Sequence, residues 1–282
     1  MGRIMSRLLV CSEVDEPSVN MREWLLKMHG WEDIGSDGVS SYMSCGNTVM
    51  MSIPDIHIRH EELDREAEAF GVKVDDVIVM SKHSAKSGQP ALTAHPIGNY
   101  HENEYGGREK TLVKPSPALM TDAIRRIVAY NDMPGTQTCF EVTHHGPWLS
   151  HPTFFIEVGS DETNWGNKHA AEVLAHVISD LEPHQEYPTV VGVGGGHYAP
   201  RFTDLALSHK VNFGHMLPSY QIEGRDYEDI IRMVRDACEA TGTKTVYIHR
   251  KSMKKPVERH ITELIESAGF EHVVSADLEP LQ

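Results

Sequence analysis

Strand-like and helix-like segments alternate along most of this 282-residue chain. Runs of β-branched and apolar residues predict strands, and apolar residues at helical spacing predict amphipathic helices. The predicted strands are residues 7–11, 49–53, 76–80, 139–143, 154–158, 189–191, 211–213 and 246–249. The predicted helices are residues 18–28, 61–70, 118–130, 162–181, 202–207, 227–240 and 257–267. This order predicts an α/β protein, a three-layer α/β/α sandwich built on a mostly parallel or mixed sheet.

Residues 81–117 interrupt the alternation, because they contain Ser, Gly, Pro, His and Asn with little periodicity. An irregular stretch of this length inside a compact domain is usually functional. The sequence shows no repeat, low-complexity tract or linker. We therefore expect residues 1–282 to form a single α/β domain with a long functional loop region at about 81–117.

The composition, 40% hydrophobic and 24% charged, is typical of globular proteins. No apolar run approaches the ~20 residues that cross a membrane, and the first residues lead into a predicted strand without the features of a secretory signal. The four cysteines are widely spaced, which argues against a disulfide framework and a thiolate zinc site. These features predict a cytoplasmic protein with no membrane partner, in which any transition metal is bound by imidazole and carboxylate.

The formal net charge of −15 argues against a protein that binds nucleic acid by overall attraction, and we expect no DNA partner. Local basic segments are still present. The densest is residues 250–255, and residues 82–86 form another. Each is either a solvated surface or a contact for a polyanion.

The segment with the most distinctive chemistry is residues 192–201, which follow the predicted strand 189–191 and carry four glycines before His197, Tyr198 and Arg201. Glycines at a strand end let the backbone adopt positive φ and approach a ligand closely. Open α/β sheets usually bind ligands at such ends. The segment also matches G-x-G-x-x-A, but a proline follows directly and no acidic residue is placed to bind a ribose, so we exclude dinucleotide binding. The alternative is a tight turn with a structural histidine.

Eighteen histidines are the outlier of the composition, and several of them follow predicted strands. Because the carboxyl ends of parallel strands meet at one edge of a sheet, we expect these histidines to converge there with two glutamates. The expected group is His83, His95, His144, His145, His197, Glu141 and Glu157. Imidazole and carboxylate suit zinc, and a catalytic zinc usually has three protein ligands and a water. Each histidine alone could be a strut that holds a loop, but five loops would then each need a separate reason for one.

Taken together, these segments resemble the archaeal and plant type of D-aminoacyl-tRNA deacylase. The resemblance runs in order from about residue 8 to about residue 275. It is carried by residues 11–20 (CSEVDEPSVN), 83–99, 143–147 (THHGP), 155–165, 194–201 (GGGHYAPR) and 214–220 (GHMLPSY).

The resemblance implies an α/β/α fold of the phosphorylase/hydrolase-like kind and dependence on zinc. It implies hydrolysis of the ester between a D-amino acid and the terminal ribose of tRNA, which recycles mischarged tRNA and keeps D-residues out of translation. The implied partner is the acceptor end of an aminoacyl-tRNA. We expect the protein to act as a monomer.

Residue chemistry assigns the roles within such a site. The predicted catalytic residues are His83, Glu141, His144, His145, Glu157 and His197. The predicted zinc ligands are His83, His95, His145 and His197. The predicted substrate-binding residues are Lys82, His95, Asn99, Gly194, Gly195, Gly196, Tyr198 and Arg201. In this hypothesis a zinc-activated water attacks the ester, a glutamate completes the site as ligand or general base, and the glycine amides bind an oxyanion or a phosphate.

Three alternatives remain at this point. One is a zinc-dependent peptidase or amidohydrolase of the same fold class, because a fold does not decide function. Another is a zinc-stabilised binding module without catalysis. Within the deacylase hypothesis itself, zinc could be structural while the 2′-hydroxyl of tRNA assists hydrolysis. The absence of a G-x-S-x-G motif argues against a serine hydrolase.

Overall fold

The predicted α/β/α sandwich is confirmed by a computed structural model of the chain, which describes residues 7–281. The first strands are β1 (Arg7–Ser12), β2 (Glu32–Ser36), β3 (Ser41–Cys45), β4 (Thr48–Ile53), β5 (Asp76–Lys82), β6 (Ala91–His95) and β7 (Gly98–Asn99). The remaining strands are β8 (Thr111–Leu112), β9 (Gln137–Phe140), β10 (Thr153–Gly159), β11 (Thr189–Val193), β12 (Asn212–Leu217), β13 (Thr245–Ile248) and β14 (Glu271–Val273).

Helices cover both faces of the sheets formed by these strands. They are α1 (Glu16–Met28), α2 (Leu63–Phe70), α3 (Pro117–Tyr130), α4 (Glu162–Trp165), α5 (Lys168–Ser179), α6 (Pro200–Ser208), α7 (Ser219–Ile222), α8 (Tyr227–Thr241) and α9 (Lys255–Ser267). Short 3-10 helices occupy His57–Arg59, Arg250–Ser252 and Ser275–Asp277. None of the helices in the described part of the chain is both long and apolar enough to span a bilayer.

The strands form one large mixed sheet and one smaller parallel sheet. The large sheet has the order β2-β3-β4-β1-β5-β10-β6-β9. Its centre, β4-β1-β5-β10, is parallel, whereas β6 pairs antiparallel with β10 and parallel with β9. The smaller sheet, β12-β11-β13-β14, is parallel throughout. The reversal at β6 matters for the site, because it brings chain ends from two directions to the same place.

Each face of the large sheet has its own core. One face packs against α1, α3 and α5 through side chains such as Ile78, Phe154 and Ile156. The opposite face buries Val79 and Phe155 under α2 and the loops that follow β6 and β9. The smaller sheet packs against α8 and α9 on one side and against α3 and α6 on the other.

The two sheets meet beyond the end of β9. The rings of Phe140 and Phe202 both pack against Phe213, with centroids 5.8 and 5.2 Å away. The backbone amides of Val142 and Thr143 donate to carbonyl oxygens next to β11 and in β12, at 3.0 and 3.1 Å. One hydrophobic core therefore includes residues of both sheets, and the single α/β domain stays a prediction.

The helix predicted at residues 162–181 is two helices, α4 and α5. The Asn167 side chain accepts the amides of His169 and Ala170, which makes it the N-cap of a new helix. Asp161 caps α4 in the same way, by accepting the amide of Thr163. The break was not visible as periodicity, because apolar residues continue on both sides of the cap.

The predicted irregularity of residues 81–117 is only partly correct. Strands β6, β7 and β8 lie within this region, and β6 is a buried member of the large sheet. Residues 100–110 between β7 and β8 form no helix or strand in the structure. The β2–β3 hairpin and β14 were also missed, because their residues are largely polar and exposed or half-buried.

Candidate active site

Four strands of the large sheet bring the predicted histidines and glutamates together. His83 follows β5, Glu157 lies in β10, His95 ends β6 and Glu141 follows β9. Phe155 lies directly opposite His95, so His95 and Glu157 point to the same face of the sheet. Because β6 and β9 run against β5 and β10, the side chains meet on that face from opposite directions. The side chains converge as expected. The reason given for it, a shared edge where parallel strands end, is wrong, because β6 runs antiparallel to β10.

The first cluster, which we call the triple-histidine site, consists of His95, His144 and His145. In each ring Nδ1 lies within hydrogen-bond distance of a backbone carbonyl oxygen. The oxygens are those of Pro96, Val142 and Gly146, at 3.1, 2.7 and 2.6 Å. A carbonyl oxygen can only accept, so each Nδ1 carries the proton and each neutral ring keeps a lone pair on Nε2. The three rings offer one ligand atom each within 4.8 Å of one another.

Two carboxylates flank the triple-histidine site. Oε2 of Glu157 lies 3.6 Å from Nε2 of His95, and Oε2 of Glu141 lies 3.6 Å from Nε2 of His144. These separations exceed a hydrogen bond. Nε2 of His95 is buried and has no hydrogen-bond partner. A buried lone pair that faces a carboxylate is the arrangement expected around a cation, so the residues present fit a zinc ion.

The protonation of the triple-histidine site agrees with this interpretation. Burial holds the pKa of His144 well below its ordinary value and lowers the pKa of His145 to about 4, so both rings are neutral near pH 7. Burial also opposes the charged form of His95, but the Glu157 carboxylate outweighs it and raises the pKa of His95. A proton thus competes with a cation for the same nitrogen.

The second cluster, which we call the Glu141 relay, consists of His83, Glu141, His197 and Tyr198. Oε2 of Glu141 accepts a hydrogen bond from Nε2 of His197 at 2.8 Å and lies 3.0 Å from Nδ1 of His83. Nε2 of His83 is bonded to the Tyr198 hydroxyl at 2.8 Å. The His83 nitrogens and Nε2 of His197 are therefore already engaged by side chains, unlike Nε2 in the triple-histidine site.

The Glu141 relay is a buried ion pair at its centre. Burial would raise the pKa of the Glu141 carboxyl, but His197 and His83 hold it well below its ordinary value. Burial likewise opposes the charge on His83, but Glu141 and Glu157 raise its pKa to about 10. The His197 side chain is 39% exposed, whereas Glu141 is fully buried. The relay thus connects an ionised interior to the surface through His197.

A cavity of about 380 Å³ opens beside the triple-histidine site. His144 and His145 form part of its wall, together with Tyr220 from α7 and the carboxylates of Glu102 and Glu104. The cavity is large enough to admit a small organic group next to the free Nε2 atoms.

The predicted role of the glycine turn is not supported for two of its amides. The amide of Gly194 donates to the Leu217 carbonyl at 2.8 Å, and the amide of Gly195 donates to the Ser219 hydroxyl at 3.0 Å. Neither amide is free to bind an oxyanion. Gly194 has φ of +99°, and a Cβ there would lie 2.5 Å from the Ser252 hydroxyl, so this glycine permits a tight crossing of chain segments. For Gly196 the role stays a prediction.

Other predicted substrate contacts have structural partners. The Asn99 side chain donates to the carbonyl oxygens of Gly106 and Arg108 at 2.9 and 3.3 Å, so it supports the loop between β7 and β8. Asn99 also lines the cavity beside the triple-histidine site, and its contact with substrate stays a prediction. The Lys82 ammonium lies 4.7 Å from the centre of the Trp165 ring. Nε of Arg201 donates to the Tyr247 hydroxyl at 3.0 Å. For both cations, binding of a phosphate stays a prediction.

Two carboxylates that position the site were missed from the sequence. Glu61 accepts the amides of Gly107 and Trp148, both at 2.7 Å, and so ties together the two loops beside the triple-histidine site. Asp64 accepts the amide and hydroxyl of Ser150 and the amide of His151. Both lie in an acidic, helix-like stretch, and the amides they bind are 46 to 87 residues away, so the sequence carries no local signal for these roles.

Comparison with known proteins decides the family. The sequence model described as D-aminoacyl-tRNA deacylase matches residues 70–273. A curated protein of that name from Methanosarcina mazei is 35% identical over 93% of this chain and 90% of its own length. Its counterpart from Pyrococcus abyssi is 33% identical over 95% of this chain and 99% of its own length. The chain belongs to the D-aminoacyl-tRNA deacylase family.

Family membership extends to longer proteins and to a solved structure. A D-aminoacyl-tRNA deacylase from Methanococcoides burtonii is 32% identical over 99% of this chain, which spans only 58% of that relative's length. The crystal structure of a conserved protein of unknown function matches with a TM-score of 0.87 at 30% identity, and the match covers 98% of this chain and 97% of the other. The fold described above is therefore shared by an experimentally determined relative.

Proposed function

We propose that this chain hydrolyses the ester bond that joins a D-amino acid to the terminal ribose of tRNA, and releases the free D-amino acid and tRNA. Its relatives bear the name of this activity. The observation that carries the proposal is the triple-histidine site, where three rings whose Nδ1 atoms face backbone carbonyls offer ligand atoms within 4.8 Å of one another beside an open cavity. Such a site suits hydrolysis of a small, activated ester.

His95, His144 and His145 are the proposed zinc ligands. This set revises the predicted ligands, because the ring nitrogens of His83 and Nε2 of His197 are already bonded within the Glu141 relay. A zinc ion held there would act as a Lewis acid toward the ester and lower the pKa of a nearby water toward ~7. Glu157 and Glu141 would add negative charge at the rim of the site.

His197 is the proposed general base, with Glu141 as the residue that positions it. The hydrogen bond from Nε2 to the buried carboxylate fixes the tautomer of His197 and leaves Nδ1 to accept a proton. A water that adds to the ester carbonyl transfers its proton to this nitrogen. When the bond between the carbonyl carbon and the ribose oxygen breaks, the same proton passes to the leaving oxygen.

The partner in this proposal is the acceptor end of an aminoacyl-tRNA, and the protein acts as a monomer in the cytoplasm. Overall attraction cannot guide a polyanion to a chain with a net charge of −15. We therefore expect contact to be restricted to the acceptor end. A small contact also favours fast release of the product tRNA.

The deciding experiment is deacylation of D-Tyr-tRNA against L-Tyr-tRNA, with and without a chelator, followed by added zinc. We expect hydrolysis of the D-ester, loss of activity on chelation and recovery with zinc. A folded, zinc-loaded sample that leaves the D-ester intact would refute the proposal. Cleavage of peptides by that same sample would favour a zinc peptidase, and metal-dependent stability without any turnover would favour a binding module.

A further inference from the structure

A second cavity, of about 740 Å³, lies between α7, the first turn of α8 and the first turn of α9. We call it the α7–α9 cavity. Its wall combines polar and apolar side chains, which include Ser219, Tyr227, Met253, Lys254 and His260. Neither the triple-histidine site nor the Glu141 relay contributes to this wall.

The short helix α7 separates the α7–α9 cavity from the cavity beside the triple-histidine site. Ser219 and Ile222 line the α7–α9 cavity, whereas Tyr220 and Gln221 line the other one. A single helical turn rises about 5.4 Å. A flexible chain that enters one cavity therefore has only this turn to cross to reach the other.

Lys254 in the wall of the α7–α9 cavity belongs to a basic segment of this acidic protein, and the same wall contains Arg225 and Glu223. Residues 250–259 contain five lysines and arginines and one glutamate. Arg250 pairs with Glu258 at 2.8 Å, and Arg259 pairs with Glu263 at 2.9 Å. Within residues 7–281, no ion pair involves the three lysines of this segment, Lys251, Lys254 and Lys255. Lys254 lies in the cavity wall, and Lys251 and Lys255 are close to it in sequence. Unpaired ammonium groups suit phosphates.

An exposed aromatic ring lines the same cavity as Lys254. Tyr227 begins α8, is 55% exposed, and its ring centroid lies 4.1 Å from that of His260 on α9. Val257, which is 44% exposed, extends the apolar wall. Aromatic rings next to cations are the usual platform for single-stranded nucleic acid, because any base can stack on the ring while the cations contact its phosphates.

We propose that the α7–α9 cavity binds the single-stranded nucleotides that precede the terminal adenosine of the tRNA acceptor end. A base stacks on Tyr227 and His260, and the backbone phosphates contact Lys251, Lys254 and Lys255. The terminal nucleotide and its amino acid then cross α7 to the triple-histidine site. This inference rests on the proposed function. It assigns the binding of the tRNA end to the nucleotides that precede the terminal adenosine.

The test compares Lys254→Ala and Tyr227→Ala with the charge-matched control Lys168→Ala, whose lysine lies on α5 and is 70% exposed. Binding of a fluorescein-labelled RNA acceptor-stem hairpin that ends in CCA and carries no amino acid is measured by anisotropy over a range of salt concentrations. Each cavity variant should bind about tenfold more weakly. Lys254→Ala should also reduce the slope of log K against log[salt] by about 0.7, whereas Tyr227→Ala leaves the slope unchanged. Tyr227→Phe keeps the stacking ring and should bind like the parent protein.

Kinetics separate this inference from the proposed function. If the α7–α9 cavity binds the acceptor end, KM for D-Tyr-tRNA rises about tenfold in the cavity variants, and hydrolysis of D-Tyr-adenosine is unchanged. If the parent protein hydrolyses both esters but the cavity variants match Lys168→Ala in binding and KM, the inference is wrong and the proposed function stands. If no ester is hydrolysed, the proposed function fails. Hairpin binding then decides the inference alone: selective weakening in the cavity variants supports it, and unchanged binding refutes it.

Discussion

The triple-histidine site and the Glu141 relay use the same side chain in two opposite ways. In the triple-histidine site Nδ1 of each ring donates a hydrogen bond to a backbone carbonyl oxygen, so Nε2 is left as a possible ligand atom for a cation. In the Glu141 relay the ring nitrogens are bonded to a carboxylate and a phenol, so the histidines can transfer or hold protons. The ligand atoms of His83, Glu141 and His197 also lie within 4.8 Å of one another, but a metal there would have to displace these bonds. In the proposed function, what bonds to a histidine, more than where it lies in the chain, decides whether the histidine is assigned to the metal or to proton transfer.

Of the substitutions that test this comparison, His145→Ala should have the largest effect on turnover. The change removes one of the three free Nε2 atoms, so zinc binding should fall and the turnover of D-Tyr-tRNA should decrease at least about a thousandfold. Metal content by mass spectrometry and single-turnover deacylation check both effects. His184→Ala, which removes an exposed histidine paired with Glu186, is the matched control. A His145→Ala protein with full zinc content would show that the triple-histidine site is not the metal site.

Glu141→Gln tests the relay with the triple-histidine site left intact. Glutamine keeps the shape but loses the charge that positions His197, so kcat should fall about a hundredfold. Zinc content should stay close to that of the parent protein, because Glu141 approaches Nε2 of His144 only to 3.6 Å. Glu182→Gln, at a carboxylate that is 86% exposed, is the control. Loss of zinc in Glu141→Gln would make Glu141 a ligand and remove the distinction between the clusters.

Tyr198→Phe should have a smaller effect. Burial raises the pKa of the Tyr198 hydroxyl to about 12, so the group remains a phenol, and its oxygen accepts a hydrogen bond from Nε2 of the protonated His83 ring. Its removal leaves one nitrogen of His83 without a partner but keeps Glu141 and His197 in contact, and we expect a decrease in kcat of about fivefold. The pH profile and zinc content should not change. A decrease as large as that of Glu141→Gln would mean that Tyr198 takes part in proton transfer.

The sequence predicts the composition of the site better than its geometry. The apolar runs of β5 and β10 mark the centre of the sheet, and the histidines after strands identify residues that meet in the candidate site. The direction of β6 is not encoded locally, because its buried residues read as part of an irregular, Gly- and Pro-rich stretch. Parallel ends were therefore assumed where β6 runs antiparallel to β10.

The roles of individual histidines depend on contacts that spacing does not reveal. Nothing in the run Thr143 to Gly146 indicates that two adjacent rings bond to their own backbone and point Nε2 the same way. His215 shows the converse. It follows a glycine in β12 and resembles the other candidates in sequence, but Nδ1 is bonded to Thr143 and Nε2 to the Val113 carbonyl, so it is structural. Only long-range partners distinguish these cases.

His57 is a third kind of histidine, which binds no other group and affects the pH dependence of stability. It is fully buried, packs 5.4 Å from the Phe155 ring centroid, and neither ring nitrogen has a hydrogen-bond partner. Burial lowers its pKa from 6.5 to about 3. Between these values the unfolded chain binds a proton that the folded protein excludes, so the free energy of unfolding falls as pH decreases, by up to about 1.4 kcal/mol per pH unit.

His57→Phe should remove this contribution, because phenylalanine fills the same apolar space and does not titrate. The free energy of unfolding, measured with urea at pH 7 and pH 5, should fall by about 2 kcal/mol less in His57→Phe than in the parent protein. The exposed His184→Ala should follow the parent. An unchanged pH dependence in His57→Phe would mean that the folded protein accommodates the charge on His57. In that case a histidine without partners would not be held neutral by burial, and the neutrality of His144 and His145 would have to come from repulsion by the neighbouring histidines.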